Sequence, residues 1–282
     1  MATDTEAARR WLTLVSRHHE TKECGMAIMY TGGAGRLGTI VRAGLEGVYP
    51  DVRLLVMEPG TALLKGETEF VGTLADLDLL TELCKDVDTI VHLGGIADER
   101  SFELILENNI VGTYNLFEAA RRAKVRRVIF ASSNHAIGFF PSDTKIDNEV
   151  LPRPDSYYGA SKAFGETLGR LYHDKWGIEV VNLRIGSFRE APGDTRQLST
   201  WISHRDMTSL LQRSIDAPDV GYQIAYGVSA NTRSYWDNEA GMKALDWQPL
   251  DNAESWADQF PGETPPYQGG GYVDPDYTGG LW

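Results

Sequence analysis

Tyr158 and Lys162 stand four residues apart in Tyr158-Gly-Ala-Ser-Lys162. On a helix that spacing puts them one turn apart on the same face. A tyrosine in water keeps its proton to about pH 10, too high for a base working near neutrality. A neighbouring ammonium favours the phenolate and lowers that value, so the pair is a candidate general base. Many ordinary helices carry the same spacing. Its weight comes from its company: Ser133 at the end of an apolar run, and a glycine-rich turn near the start of the chain.

That turn is Thr31-Gly-Gly-Ala-Gly-Arg-Leu-Gly38. It follows the apolar run Met26-Ala-Ile-Met-Tyr30 and opens a segment with helical apolar spacing at Leu37, Ile40, Val41 and Leu45. Strand, glycine turn, helix is the setting in which this pattern binds a dinucleotide. Gly32, Gly35 and Gly38 let the backbone turn tightly, approach a pyrophosphate and pack helix on strand. Arg36 and Leu37 then open a helix whose free N–H groups and dipole favour the phosphates. Glu58 lies twenty residues past Gly38, where a carboxylate accepts hydrogen bonds from the adenosine ribose. A carboxylate there repels a 2′-phosphate, so NAD is favoured over NADP.

Alternating apolar runs and helical patterns supply the frame. After the strand Val52–Met57, a third strand starts near Phe70 and ends at Thr73-Leu74, beside the adenine. Residues 76–84 read as a helix, and residues 89–93 as a strand running from Leu93 into Gly94-Gly95, where backbone can approach the cofactor. A long helix over 101–123 contains Asn109 and Gly112, which weaken a helix interior and call for a packing or functional reason. Residues 127–131 form a fifth strand leading into Ser132-Ser-Asn-His135. Pro152 and Pro154 precede the helix of Tyr158, which runs to about Trp176. Residues 178–183 give a sixth strand. The pattern predicts an α/β fold, a Rossmann-type doubly wound parallel sheet with a small C-terminal substrate-covering region. Ligands then bind beyond the carboxyl ends of the strands.

Three segments follow from the same reading: a flexible arm over 1–25, an NAD-binding domain with the catalytic helix over 26–185, and a substrate-binding region with the tail over 186–282. The arm reads as a frayed helix or a start placed too early, and its His18 and His19 have no ligand spacing around them. In the last region a capped helix is expected over 199–213, a strand over 222–226 and a helix within 236–247. Trp201, Trp236 and Trp247 are expected in the core. From Pro261 the Pro-, Gly- and Tyr-rich tail should be irregular, an arm suited to contact another subunit.

A formal charge of −13 argues against nucleic acid and against an anionic membrane surface, and it means an anionic substrate needs a local cation. Arg196, in Gly193-Asp-Thr-Arg-Gln-Leu-Ser199, is the candidate, since a guanidinium grips a carboxylate with two parallel bonds. A surface pair with Asp194 or Glu190 is the plainer alternative. No apolar run reaches membrane-span length. Two cysteines give neither a disulfide framework nor metal-ligand spacing, consistent with a reducing cytoplasm.

With the glycine turn, Ser133 and Tyr-x-x-x-Lys in place, the chain from Met26 onward resembles the extended short-chain dehydrogenase/reductase family. Within it, Val91-His-Leu-Gly-Gly-Ile96, Ala131-Ser-Ser-Asn-His135, Arg184-Ile-Gly-Ser187, Leu198-Ser-Thr-Trp201, Pro249-Leu-Asp-Asn-Ala-Glu254 and the Gly269-Gly270 tail are similar to the uronate dehydrogenases. The resemblance implies that Ser133 holds the reacting oxygen, Tyr158 is the base, and Lys162 binds the nicotinamide ribose. It implies that Asn109 supports the site, and that Asn134, His135, Ser187 and Arg196 meet the substrate. Ile185 joins the cofactor contacts. The implied substrate is D-galacturonate or D-glucuronate, oxidised at C1 to the aldarolactone by a cytoplasmic homo-oligomer. Three departures stand out: Thr73 where many relatives carry aspartate, Ala97 in place of a small polar residue, and no Asn-x-x-Gly-Pro after Arg184. The rival readings are a neutral-aldose 1-dehydrogenase, a nucleotide-sugar epimerase or dehydratase, and a catalytically silent cofactor sensor.

Overall fold

A computed structural model describes residues 26–280. The expected arm over 1–25, with His18 and His19, lies outside the described residues. Seven strands form one sheet: β1 (Ala27–Thr31), β2 (Asp51–Val56), β3 (Glu67–Val71), β4 (Thr89–His92), β5 (Arg127–Ser133), β6 (Glu179–Ile185) and β9 (Tyr222–Gly227). Their order is β3-β2-β1-β4-β5-β6-β9, and every pairing is parallel. The strand order reverses between β1 and β4, which opens the crevice where such sheets take ligands. Ser187–Phe188 (β7) and Trp201–Ile202 (β8) make a separate short parallel pair.

The strands alternate their side chains between two apolar layers, as period-two geometry requires. Ile28, Leu54, Val91, Ile129 and Val181 face one layer, with α1 (Arg36–Gly44), α7 (His204–Asp216) and α8 (Glu239–Leu245) packed there. Met29, Leu55, Ile90, Val128 and Val180 face the other, under α2 (Leu77–Leu83), α4 (Gly112–Ala123) and α5 (Tyr157–Trp176). Trp201, Trp236 and Trp247 are all buried, as expected of them. No helix of the described residues is long and apolar enough to cross a membrane.

The predicted helix over 101–123 is three pieces: α3 (Phe102–Ile105), a π-helical turn (Leu106–Val111) and α4. The weak residues have reasons. Asn109 lies in the π turn, a local insertion that often marks a functional site. Gly112 packs on Leu74, whose Cβ would lie 2.9 Å from any added methyl.

Two expectations need correction. The third strand ends at Val71, so Thr73 and Leu74 lie in the following loop, where Thr73 Oγ1 accepts from the Ala75 amide. The helix over 199–213 is split: α6 (Gln197–Thr200) gives way to β8, and α7 starts after Ser203, whose hydroxyl caps the Asp206 amide. The tail is largely irregular, as expected, and packs on its own chain through the Pro141↔Tyr267 bridge and a 3₁₀ turn at Gly270–Val273.

Candidate active site

One cavity of about 1120 Å³ runs along the carboxyl ends of the strands. Its nucleotide end is lined by Gly32, Gly35, Arg36, Leu37, Gly38, Glu58, Thr73, Leu74, Leu93, Gly94 and Gly95. The start of α1 has no side-chain cap, so its first N–H groups face this space. Gly32 holds φ +69°, and a Cβ there would sit 2.7 Å from the Gly94 amide; a Cβ on Gly38 would sit 2.6 Å from the Gly32 carbonyl. Backbone touches backbone, so the turn is set by close approach. From beneath, Arg42 donates to the Gly33 carbonyl at 2.9 Å while paired with buried Glu67. Thr31 Oγ1 takes the Gly94 amide at 3.1 Å and meets His92 Nδ1 at 2.7 Å. Burial pushes the His92 pKa down to about 3, so this bridge is neutral.

In the middle of the cavity stand Ser133, Tyr158, Lys162 and Ile185. Ser133 ends β5; Tyr158 and Lys162 come from the first turns of α5, which is capped by Ser156 Oγ on the Gly159 amide. Glu99 completes the cap, accepting from the Tyr157 and Tyr158 amides at 3.1 and 2.8 Å. Lys162 Nζ lies 5.5 Å from the Tyr158 ring centre and 5.1 Å from that of Phe130. Burial raises the Tyr158 pKa to about 12; a hydrogen bond with Ser133 lowers it, and the charges of Asp155 and Asp98 raise it. Burial lowers Lys162 to about 8. The neighbouring ammonium is expected to lower Tyr158; burial raises it instead, and Tyr158 is a neutral phenol near pH 7. Asn109 stands behind the cavity. Its Oδ1 accepts from the Ile96 amide at 2.7 Å, and its Nδ2 donates to Ser161 Oγ, which donates to the Tyr158 carbonyl.

The far end gathers Asn134, His135, Ser187 and Arg196. His135 Nδ1 meets Asp155 at 2.8 Å, and its ring stacks on Tyr272 at 3.6 Å. Arg196 Nε donates to the Gln268 carbonyl at 2.6 Å, and Nη1 approaches Ser187 Oγ at 3.5 Å. With its amide oriented so that both ends are paired, Asn134 donates to the Ile185 carbonyl at 3.0 Å and accepts from Arg196 Nη2 at 2.6 Å. Asp194 is engaged by the Gln197 amide and side chain instead. Among the described residues Arg196 makes no ion pair, and its charge faces the cavity.

Residues 28–231 match the NAD dependent epimerase/dehydratase family. The chain is 43% identical over 264 residues to the uronate dehydrogenase of Pseudomonas syringae pv. tomato, covering 90% of this chain and 96% of that one. This chain belongs to the NAD dependent epimerase/dehydratase family. Among solved structures, glucuronic acid dehydrogenase from Chromohalobacter salexigens superposes with TM-score 0.84 at 43% identity, over 88% of this chain and 97% of that one. A uronate dehydrogenase variant from Agrobacterium tumefaciens complexed with NAD gives TM-score 0.83 at 41% identity, over 88% and 97%.

NAD, the family's cofactor, fits the residues present. The uncapped α1 start and the close-packed glycines suit a pyrophosphate, and Glu58 ends the cavity wall at β2 where ribose hydroxyls are bound in this fold. Sequence reasoning missed Arg42, Glu99, Asp155 and Gln268, none of which lines the cavity. Glu99, Asp155 and Gln268 act on site residues from elsewhere in the chain, which no local pattern reports, while Arg42 braces Gly33 from within the same strand–helix unit.

Proposed function

We propose that this protein is an NAD-dependent dehydrogenase that oxidises a free hexuronic acid, D-galacturonate or D-glucuronate, at C1 to the aldarolactone. One observation carries the reading. The Arg196 guanidinium, with no carboxylate partner among the described residues, shares a cavity with Ser133, Tyr158 and Lys162. Similarity to uronate and glucuronic acid dehydrogenases supports it.

Ser133 orients the C1 hydroxyl and Tyr158 removes its proton. Lys162 holds the nicotinamide ribose and supports the phenolate, and Asn109 fixes the loop and helix around them. When bound, NAD would supply the hydride acceptor and a positive charge that favours the phenolate against the desolvation that keeps Tyr158 protonated. Gly32, Gly35, Arg36, Leu37 and Gly38 hold the pyrophosphate, Glu58 the adenosine ribose, and Thr73 with Leu74 the adenine. Leu93, Gly94, Gly95 and Ile185 border the nicotinamide riboside. Asn134, His135 and Ser187 meet the sugar, and Arg196 its carboxylate. With Nε committed to the Gln268 carbonyl, the two terminal nitrogens are the edge that takes the carboxylate.

Residues 26–185 then bind the cofactor and carry the catalytic helix, and the following region contributes Ser187 and Arg196 to the substrate, in a cytoplasmic homo-oligomer. Exposed Leu104, Val111, Tyr114, Leu171 and Trp176 supply an apolar surface for such assembly, which light scattering tests. The chemistry is tested by following galacturonate and NAD by NMR. The C1 lactone with one NADH per turnover is the expected product; a change at C4 or no NADH contradicts the reading.

A further inference from the structure

The tail meets the substrate end of the cavity at three adjoining points. The Gln268 carbonyl holds Arg196 Nε at 2.6 Å. Gly270, at φ +63°, lies so close that a Cβ would sit 2.7 Å from Arg196 Cδ, and one on Gly269 would sit 2.1 Å from Asp155 Oδ2, the atom that holds His135. Tyr272 stacks on His135 and donates to Asp98 at 2.6 Å. The segment is itself tightly held. Gln268 is fully buried; its side chain accepts from Trp236 Nε1 at 2.8 Å and donates to the Pro141 and Thr144 carbonyls at 3.1 and 3.0 Å. Further along, Asp98 also takes the Tyr277 hydroxyl and the Gly280 amide.

We propose that residues 268–272 are a positioning element that sets the Arg196 guanidinium for a sugar carboxylate and so determines specificity for the acid; this rests on the uronate reading. The choice of a carbonyl partner matters. A carboxylate on Nε would neutralise the guanidinium and compete with the substrate, whereas a carbonyl orients it and leaves the charge available. Asn134 and Ser187 then fix the tilt of the terminal nitrogens. The glycines at 269 and 270 are needed because the tail backbone runs against the two side-chain systems with no room for a methyl.

The test is Gly270→Ala and, as a variant without backbone strain, Gln268→Ala, each made alone and with Arg196→Ala. Steady-state constants for galacturonate are measured beside NAD affinity by fluorescence. A small displacement of a positioned group commonly costs about 10²-fold. Each single variant should lose about 10- to 100-fold in kcat/KM for galacturonate, mainly through KM, with NAD affinity unchanged. In the Arg196→Ala background neither should add a further loss, because groups acting through one another are not additive. Unchanged KM for galacturonate in a wild type that prefers uronates overturns the proposal and leaves the uronate reading intact. Losses that add to that of Arg196→Ala, or loss of NAD binding in both single variants, overturn it as well, since they mark a merely structural tail. A wild type that prefers neutral aldoses overturns the uronate reading and this proposal together.

Discussion

The two ends of the cavity are built differently. At the nucleotide end, the lining comes from the glycine turn and the loops at the carboxyl ends of β1, β2, β3 and β4, all within residues 31–95. Its supports are hidden: Arg42 under Gly33, and neutral His92 beside Thr31. At the sugar end, groups arrive from separate segments at 134–135, 187, 196 and 269–272, and His135 and Arg196 are held by partners 20 and 72 residues away. A dinucleotide is recognised by features that recur with the fold, so backbone geometry suffices. A particular sugar acid needs one cation aimed correctly, and in the proposed reading residues 268–272 aim it.

Breaking the junction between the ends should have the largest effect. Tyr158→Phe keeps the ring against His135 but removes the titrating group, and should cost about 10²–10⁴ in kcat while NAD still binds by calorimetry. Near-wild-type turnover would move the base elsewhere. Next comes the sugar end. Arg196→Ala should weaken kcat/KM for galacturonate by roughly 2–5 kcal/mol, and Arg196→Lys by less, because the charge survives without the fork. Neither should alter NAD affinity; a parallel loss would blur the division between the ends.

Lys162 sharpens the comparison through stability. Its pKa falls from 10.5 to about 8 on folding, because burial penalises the ammonium. The cost is complete below about pH 8 and disappears as pH rises toward about 10.5, where the unfolded chain also deprotonates. Lys162→Met should therefore raise stability near neutrality by at most about 3 kcal/mol, with the advantage shrinking across that window. Denaturant melts at several pH values check it; a pH-independent difference would contradict the buried charge. The smallest effect belongs to Glu58. Glu58→Gln should narrow the preference for NAD over NADP by about 1–3 kcal/mol, read from kcat/KM for each cofactor, and a wild type that already favours NADP would remove Glu58 from its role.

How much was legible follows the same division. The glycine turn, the Tyr158–Lys162 face and the order of the first six strands could be read because each depends on residues within about one strand–helix unit of one another. Asn109 and Gly112 were visible as misfits in a helix, and the π turn and the Leu74 contact account for both. The boundary of β3 and the break at Trp201-Ile202 were not legible: propensity favours continuing the helix, while pairing with Ser187-Phe188 and the Ser203 cap decide otherwise. The irregular backbone of the tail was legible in its Pro, Gly and Tyr content, but its anchoring on its own chain was not. Its order comes from partners such as Asp98 and Trp236, far off in the chain. The fall in Tyr158 acidity by burial likewise required three dimensions, since spacing reports neighbours and not solvent.

The account turns on recognition of a carboxylate by Arg196. Galacturonate and galactose differ only at C6, so their kcat/KM ratio, followed by NADH absorbance in the wild type and in Arg196→Ala, isolates that contact. A wild-type ratio far above one that collapses in the variant is the predicted result. A wild type that oxidises galactose as well as galacturonate, or a variant that keeps the full ratio, would contradict it.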